Sequence, residues 1–231
     1  MSDTNVVTTE NIQKTYAENG VEVHAVRGVD LEITKGEFTA IVGPSGSGKT
    51  TFLNIISGLD KPSSGKAWLD GNLLSEMNGR ELSDFRRDKI GFIFQAYNLI
   101  PVLTVEENVE YVMLLQGVSP EARRNRVAKM LAEVGLEGLG DRVPTKLSGG
   151  QQQRVAIARA MVSHPKLILA DEPTANLDSK TGSELLDMMG KLNSETGMTF
   201  LFSTHDTLVM ERARRVVVLR DGMIDRDEKK G

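Results

Sequence analysis

Phe38-Thr39-Ala40-Ile41-Val42-Gly43-Pro44-Ser45-Gly46-Ser47-Gly48-Lys49-Thr50 is an apolar run that turns into a glycine-rich loop and ends on a lysine and a threonine. Phe38 to Val42 reads as a buried strand feeding that loop. Glycines in the loop let backbone N–H groups close around phosphate oxygens without side-chain clash. A helix starting at about Lys49 adds the positive end of its dipole. Lys49 reaches β- and γ-phosphates in such a loop, and Thr50 ligates Mg²⁺. The candidate nucleotide-binding residues are therefore Gly43, Pro44, Ser45, Gly46, Ser47, Gly48, Lys49, Thr50 and the adjoining Thr51.

Outward from the loop, the first third reads as β-rich. Val29, Leu31 and Ile33 alternate with polar residues, as in a half-buried strand. Thr34-Lys35-Gly36-Glu37 reads as a turn, and Asp70-Gly71 as the turn of a hairpin. The middle reads as helical. Thr104 and Glu107 form a capping box before a helix that Gly117 ends. Ser119-Pro120 starts another, with Val127, Met130, Leu131 and Val134 on one apolar face and Gly135 closing it. A further helix follows Gly150. Strand (Leu167 to Ala170), helix (around Leu185 to Leu192), strand (Met198 to Ser203), helix (from Asp206) and strand (Val216 to Leu219) then alternate. Such alternation implies a mostly parallel sheet with helices on its faces. The charged tail, Asp225 to Gly231, reads as frayed.

Two more stretches carry chemistry. Leu167-Ile168-Leu169-Ala170-Asp171-Glu172 ends an apolar strand in two carboxylates. Ligands of open parallel sheets sit at the carboxyl ends of strands. Asp171 is thus placed to hold Mg²⁺, and Glu172 to polarise an attacking water as general base. A carboxylate pair capping the next helix is the plainer alternative, and the phosphate loop weighs against it. Leu147-Ser148-Gly149-Gly150-Gln151 places a good N-cap and two glycines before a helix, an anion site at a helix N-terminus. As a lone Ser-Gly-Gly it would read as a simple cap.

Phosphate loop, Leu147 to Gln151 (running into Gln152-Gln153-Arg154) and Asp171-Glu172, in that order, resemble the motifs of the ATP-binding cassette (ABC) ATPases over nearly the whole chain. The resemblance implies an α/β P-loop NTPase core with an N-terminal antiparallel β subdomain and an inserted helical subdomain at approximately 96–150, all within one nucleotide-binding domain spanning 1–231. It also implies that Ser148, Gly149, Gly150 and Gln151 bind the γ-phosphate of ATP held by a second copy, giving a head-to-tail dimer on two MgATP. Other positions match the family in order. Tyr16 matches the aromatic residue that stacks on adenine. Gln95 matches the glutamine that contacts Mg²⁺ and water and senses the transmembrane partner. Asp178, in Ala175-Asn176-Leu177-Asp178, matches the loop that communicates across the dimer. His205 matches the histidine at the γ-phosphate. His24 and His164 match nothing and read as ordinary.

Val21 to Asp30, Gln95 to Pro101 and Leu103 to Val109 resemble one branch of that family, the lipoprotein-releasing, macrolide-exporting and antimicrobial-peptide-resistance ATPases. That branch implies an integral-membrane permease as partner, docking after Gln95, and a peripheral position on the cytoplasmic face of the cell membrane. The chain has no cysteine, so disulfides and thiolate metal sites are excluded. No apolar run approaches the roughly 20 residues of a membrane span, and Met1-Ser2-Asp3-Thr4 does not begin a secretory signal. The net charge of −4 speaks against a nucleic-acid partner. An alternative is a soluble ABC ATPase of nucleic-acid repair or translation. Such proteins carry insertions or paired cassettes, which this compact sequence lacks. A non-hydrolysing ATP switch is a third reading, opposed by Glu172 and His205.

Overall fold

The computed structural model describes residues 4–18 and 21–230. Residues 1–3 (most of the stretch read for a leader), 19–20 and 231 lie outside the described residues, as do the side chains of Glu18 and Val21, the latter opening one of the branch-like stretches. The chain folds around two sheets. Strands β1 (Asn5–Glu18) and β2 (Val21–Thr34) pair antiparallel, and β4 (Ser64–Leu69) and β5 (Asn72–Leu73) extend them into a four-stranded sheet in the order β2-β1-β4-β5. Asp70 and Gly71, at φ 49° and 75°, make the two-residue hairpin turn expected from Asp-Gly. The second sheet combines β3 (Phe38–Val42), β6 (Ile90–Ile93), β7 (Leu167–Asp171), β8 (Thr199–Thr204), β9 (Arg215–Arg220) and β10 (Met223–Lys229), in the order β10-β9-β3-β8-β7-β6. All its pairings are parallel except β9 with β10.

The parallel strands are apolar on both faces, as a sheet covered on both sides requires. Phe38, Ala40, Val42, Ile168, Ala170, Phe200 and Phe202 point into one core. Their neighbours Ile41, Leu167, Leu169, Leu201, Val217 and Leu219 point into the other, between the two sheets. The first core is closed by α3 (Val105–Leu115), α4 (Pro120–Glu133), α5 (Gly149–Met161) and α6 (Ser179–Thr196). The second is closed by α1 (Lys49–Ile56), whose Phe52, Leu53, Ile55 and Ile56 are buried.

Helix boundaries follow their caps. The Thr104–Glu107 box opens α3, Ser119 and Pro120 open α4, Ser148 opens α5, and Asp206 opens the short α7 (Thr207–Arg212). Val127, Met130, Leu131 and Val134 are all buried. Helix α2 (Gly79–Lys89) carries no apolar stripe, since only Leu82 is buried, so the sequence pattern does not announce it. Its signal is the capping box of Asn78 with Glu81. Among the described residues no helix is long and apolar enough to cross a membrane.

The tail corrects an expectation. Of the tail read as frayed, residues 225–229 belong to β10, the edge strand beside β9. The cause is Arg215, whose guanidinium donates to Asp227 at 2.8 and 2.6 Å, to Glu37 Oε2 at 2.9 Å and to Glu32 O at 2.7 Å. The charged tail thus answers a side chain that is 8% exposed in the sheet. Arg215 holds the Asp227 carboxyl below its usual range by hydrogen bond and charge. Burial alone would raise Glu37, but hydrogen bonds from Thr34, Thr39 and Arg215 outweigh it and leave the carboxyl lowered.

Removing one member of a mostly buried pair strands its partners, so Arg215→Ala should cost about 3 kcal/mol in urea unfolding at pH 7. Lowered carboxylates contribute stability that is complete above the unfolded pKa of about 4 and lost as pH falls through the folded values. The acid-unfolding midpoint of Arg215→Ala should therefore lie at higher pH than that of the parent. An unchanged midpoint would remove Arg215 from this role.

Candidate functional site

Four parallel strands deliver their carboxyl ends to one side of the sheet, and a cleft of about 580 Å³ opens there. From β3 come Ser45, Gly46, Ser47, Gly48, Lys49, Thr50 and Thr51; from β6, Gln95; from β7, Asp171 and Glu172; from β8, Ser203 and His205. A fifth contributor was not foreseen. Val23, His24 and Ala25 of β2 form another wall of the cleft. Their sequence holds no signal for this, because it takes the other sheet to bring β2 across the loop. His24, read as ordinary, stands in that wall and shares a 2.9 Å hydrogen bond with Thr15 Oγ1.

The loop backbone passes so close to its surroundings that side chains are excluded. A Cβ on Gly43 would lie 2.1 Å from Leu219 O, and one on Gly48 would lie 2.2 Å from Ala25 O. Gly48 also holds φ 97°, in the left-handed region. It stands immediately before α1, whose first residues, Lys49 to Thr51, line the cleft and whose first N–H groups have no acceptor within the helix. Lys49 Nζ arches back over the loop, donating to Gly43 O at 2.7 Å and Pro44 O at 3.0 Å. Among the described residues, Ser47 Oγ is buried without a hydrogen-bond partner. An orphaned hydroxyl, glycine-lined backbone, helix N–H groups and a lysine together suit a polyphosphate.

The two carboxylates behave differently. Burial pushes the Asp171 carboxyl up and the nearby Glu172 charge adds to this, while a Ser203 hydrogen bond and Lys49 oppose it. A bound divalent cation would reverse that balance, which makes Asp171, with Thr50, a fitting Mg²⁺ pair. Glu172 sits at φ 47°, a conformation rare for a residue other than glycine. Its N–H donates to Ser203 O at 2.9 Å, Oε2 accepts from Thr204 Oγ1 at 2.8 Å, and Oε1 lies 2.6 Å from His205 Nδ1. Thr204, which no motif marked, is thus a support of this carboxylate. Glu172 is largely covered, with a side chain 17% exposed, whereas His205 is 77% exposed.

Other expected site residues do not line the cleft itself, though Tyr16 reaches its edge through a hydrogen bond with Thr51. Tyr16 is 40% exposed, with its hydroxyl donating to Asp60 at 2.8 Å and Lys14 Nζ 4.8 Å from its ring centroid. Ser148 caps α5, donating from its N–H to Gln151 Oε1 at 3.0 Å and accepting from Gln151 N–H at 3.3 Å. Gly149 and Gly150 follow at the helix start, half-buried. Asp178 caps α6 through Lys180 N and Thr181 N, and the Thr181 hydroxyl holds its carboxyl below the usual range. Among the described residues, neither Ser148 to Gln151 nor Asp178 lines the cleft that holds the phosphate loop.

The family profile described as ABC transporter matches residues 26–175. An ABC transporter ATP-binding protein, MJ0796 of Methanocaldococcus jannaschii, is 47% identical over 224 residues, covering 95% of either chain. The macrolide export ATP-binding/permease protein MacB of Syntrophobacter fumaroxidans is 44% identical over 218 residues, which is 94% of this chain and 30% of that longer one. A solved dimeric structure of MJ0796 in a post-hydrolysis state, bound to ADP and Pi, superposes with a TM-score of 0.87 at 46% identity, over 96% of this chain and 98% of that one.

A methyl group at Gly48 must displace the Ala25 carbonyl as well as adopt a left-handed backbone, so Gly48→Ala should weaken binding of a fluorescent ATP analogue by at least about tenfold. Gly46→Ala, whose Cβ would meet nothing within 4 Å, should weaken it less. Equal losses would show that the close approach to Ala25 does not shape the loop.

Proposed function

The chain belongs to the ABC transporter family, as an ATP-binding subunit that hydrolyses ATP to drive transport, and we propose the following division of work among its residues. The reading is carried by Glu172, a carboxylate at the end of a central strand, held in a strained conformation between Thr204 and His205 in the same cleft as the phosphate loop.

ATP enters with its phosphates over Gly43 to Thr51, and Lys49 exchanges the Gly43 and Pro44 carbonyls for β- and γ-phosphate oxygens. Tyr16 supports adenine at the outer edge of the cleft. Thr50, Asp171 and Gln95 would hold Mg²⁺, which when bound neutralises charge on the β- and γ-phosphates. Glu172 accepts a proton from water as its oxygen bonds to the γ-phosphorus and the bond to the β–γ bridging oxygen breaks. His205 and the loop N–H groups stabilise the charge gathered on the transferred group.

The remaining donors come from a second copy. Ser148, Gly149, Gly150 and Gln151 cannot serve the cleft of their own chain, because they open a helix outside it. A head-to-tail dimer would lay that helix start, with Asp178 nearby, on the γ-phosphate of the facing chain. The dimeric MJ0796 structure supports this reading. Residues 96–150, which hold α3 and α4, act as the helical subdomain of a single nucleotide-binding domain. Beside them a cleft of about 350 Å³, with Arg86, Phe92, Phe94, Tyr111 and Leu115 in its wall, suits a cytoplasmic segment of a membrane permease. The MacB relative, named as carrying ATP-binding protein and permease together, supports such a partner. The subunit would sit on the cytoplasmic face of the membrane and drive export, lipoprotein release or transmission of motion across it.

Glu172→Gln should bind ATP normally and lose about 10²- to 10⁴-fold in kcat, the range a positioned base contributes. It should also accumulate as an ATP-bound dimer in size-exclusion chromatography. Turnover near the parent rate would remove Glu172 from the role of base.

A further inference from the structure

The segment from Gln95 to Asn98 joins the nucleotide cleft to the groove beside α3, and it is held in an unusual way. Tyr97 and Asn98 have φ values of 55° and 49°, two consecutive left-handed residues neither of which is glycine. Asn98 N donates to Ala96 O at 2.5 Å, closing a three-residue turn around Tyr97, a strained arrangement when the central φ is positive. Such a turn persists only where its surroundings over-determine it.

Those surroundings are two side chains. Arg159 of α5 donates from one guanidinium nitrogen to Asn98 O at 2.5 Å and from the other to Tyr97 O at 2.9 Å. Asn176, between Glu172 and Asp178, donates from Nδ2 to Gln95 O at 2.7 Å. All four carbonyls of the segment thereby have donors. Among the described residues no carboxylate forms an ion pair with Arg159, and burial pushes its pKa down. Its planar fork is used for two backbone oxygens, a geometry that a lysine cannot reproduce. The same helix touches the segment at its other end, because the Tyr97 hydroxyl would lie 3.0 Å from a Cβ on Gly149.

We propose that Arg159, assisted by Asn176, is a positioning residue for ATP hydrolysis: it clamps the strained turn at Tyr97-Asn98 and so aims the Gln95 side chain into the nucleotide cleft. The proposal rests on the role given to Gln95 above. It makes α5 a strut that reads the segment after Gln95 at one end and presents Ser148 to Gln151 at the other. A permease segment that loosened the clamp would change the rate of hydrolysis without touching ATP.

The test is steady-state ATPase kinetics on the full chain for Gln95→Ala, Arg159→Gln, Arg159→Lys, Asn98→Gly and the double variant Arg159→Gln with Asn98→Gly. Both Arg159 variants should lose about 10- to 100-fold in kcat, as misplacement of about 1 Å in a remote support does, with KM for ATP within about twofold. Glycine at 98 takes the left-handed backbone without strain, so the double variant should recover most of the kcat lost by Arg159→Gln. Packing loss alone would not be rescued by removing the Asn98 side chain, which is itself exposed. Parent kcat in both Arg159 variants, a loss that Asn98→Gly fails to recover, or a parallel rise in KM would overturn the clamp. If Arg159→Gln does not fold, as shown by its melting curve, Arg159→Lys and Asn176→Ala must show the same kcat loss for the clamp to stand. Unchanged kcat in Gln95→Ala would sink the role of Gln95 itself, whereas a loss there with parent rates in the Arg159 variants would sink the clamp alone.

Discussion

Much of this structure follows from the close passage of the phosphate loop between two carbonyl groups. Gly43 lies against Leu219 O of β9 and Gly48 against Ala25 O of β2. One contact anchors the loop to the mostly parallel sheet, the other to the antiparallel sheet. The turn after β9 reinforces both, with Gly222 N donating to Ser47 O at 3.1 Å and Arg27 N to Gly222 O at 2.8 Å. The loop is therefore a joint between layers as well as a phosphate cradle. The β10 edge strand, tied down through Arg215, keeps that turn in place.

Left-handed backbone outside glycine recurs in this protein, in turns such as Asp70 and also in and beside the cleft. Left-handed backbone costs of order 1–3 kcal/mol per residue outside glycine. It occurs at Glu172 in the cleft and at Tyr97 and Asn98 beside it. In each place several hydrogen bonds converge on the strained residue. Glu172 is held by Ser203, Thr204 and His205, all of β8 or the residue after it. Because β7 and β8 are in parallel register, with Asp171 opposite Ser203, the two carboxylates and their supports arrive together.

The cleft of a single chain is lopsided. Its inner wall carries lysine, carboxylates and the first residues of α1, while the second glycine-rich helix start does not line it. A phosphate held from one side only remains open to water. In the proposed head-to-tail dimer, closure by a second copy would supply the missing donors and exclude bulk solvent in one motion, coupling nucleotide state to the distance between subunits. The strut proposed from Ser148 to Arg159 would give that motion a route towards the groove beside α3.

The order of elements, the parallel core and the residues of the phosphate loop were legible in the sequence because each has a local cause. Strand apolarity, capping boxes at Thr104 and Ser148, the Asp70-Gly71 turn and glycines before Lys49 are all set within a few residues. Helix α2 was illegible because it buries only Leu82, and the tail was misread because its charges answer Arg215, a partner outside any local sequence pattern. The wall formed by Val23, His24 and Ala25, the support of Glu172 by Thr204 and the clamp of Arg159 on Tyr97 and Asn98 likewise depend on contacts spanning tens of residues. The sequence by itself thus marked which residues are candidates for phosphate and metal, since that depends on residue type and spacing along one turn of chain. Only the tertiary structure decided how they are aimed, because backbone strain and hydrogen-bond partners are set by which strands and helices the fold brings side by side.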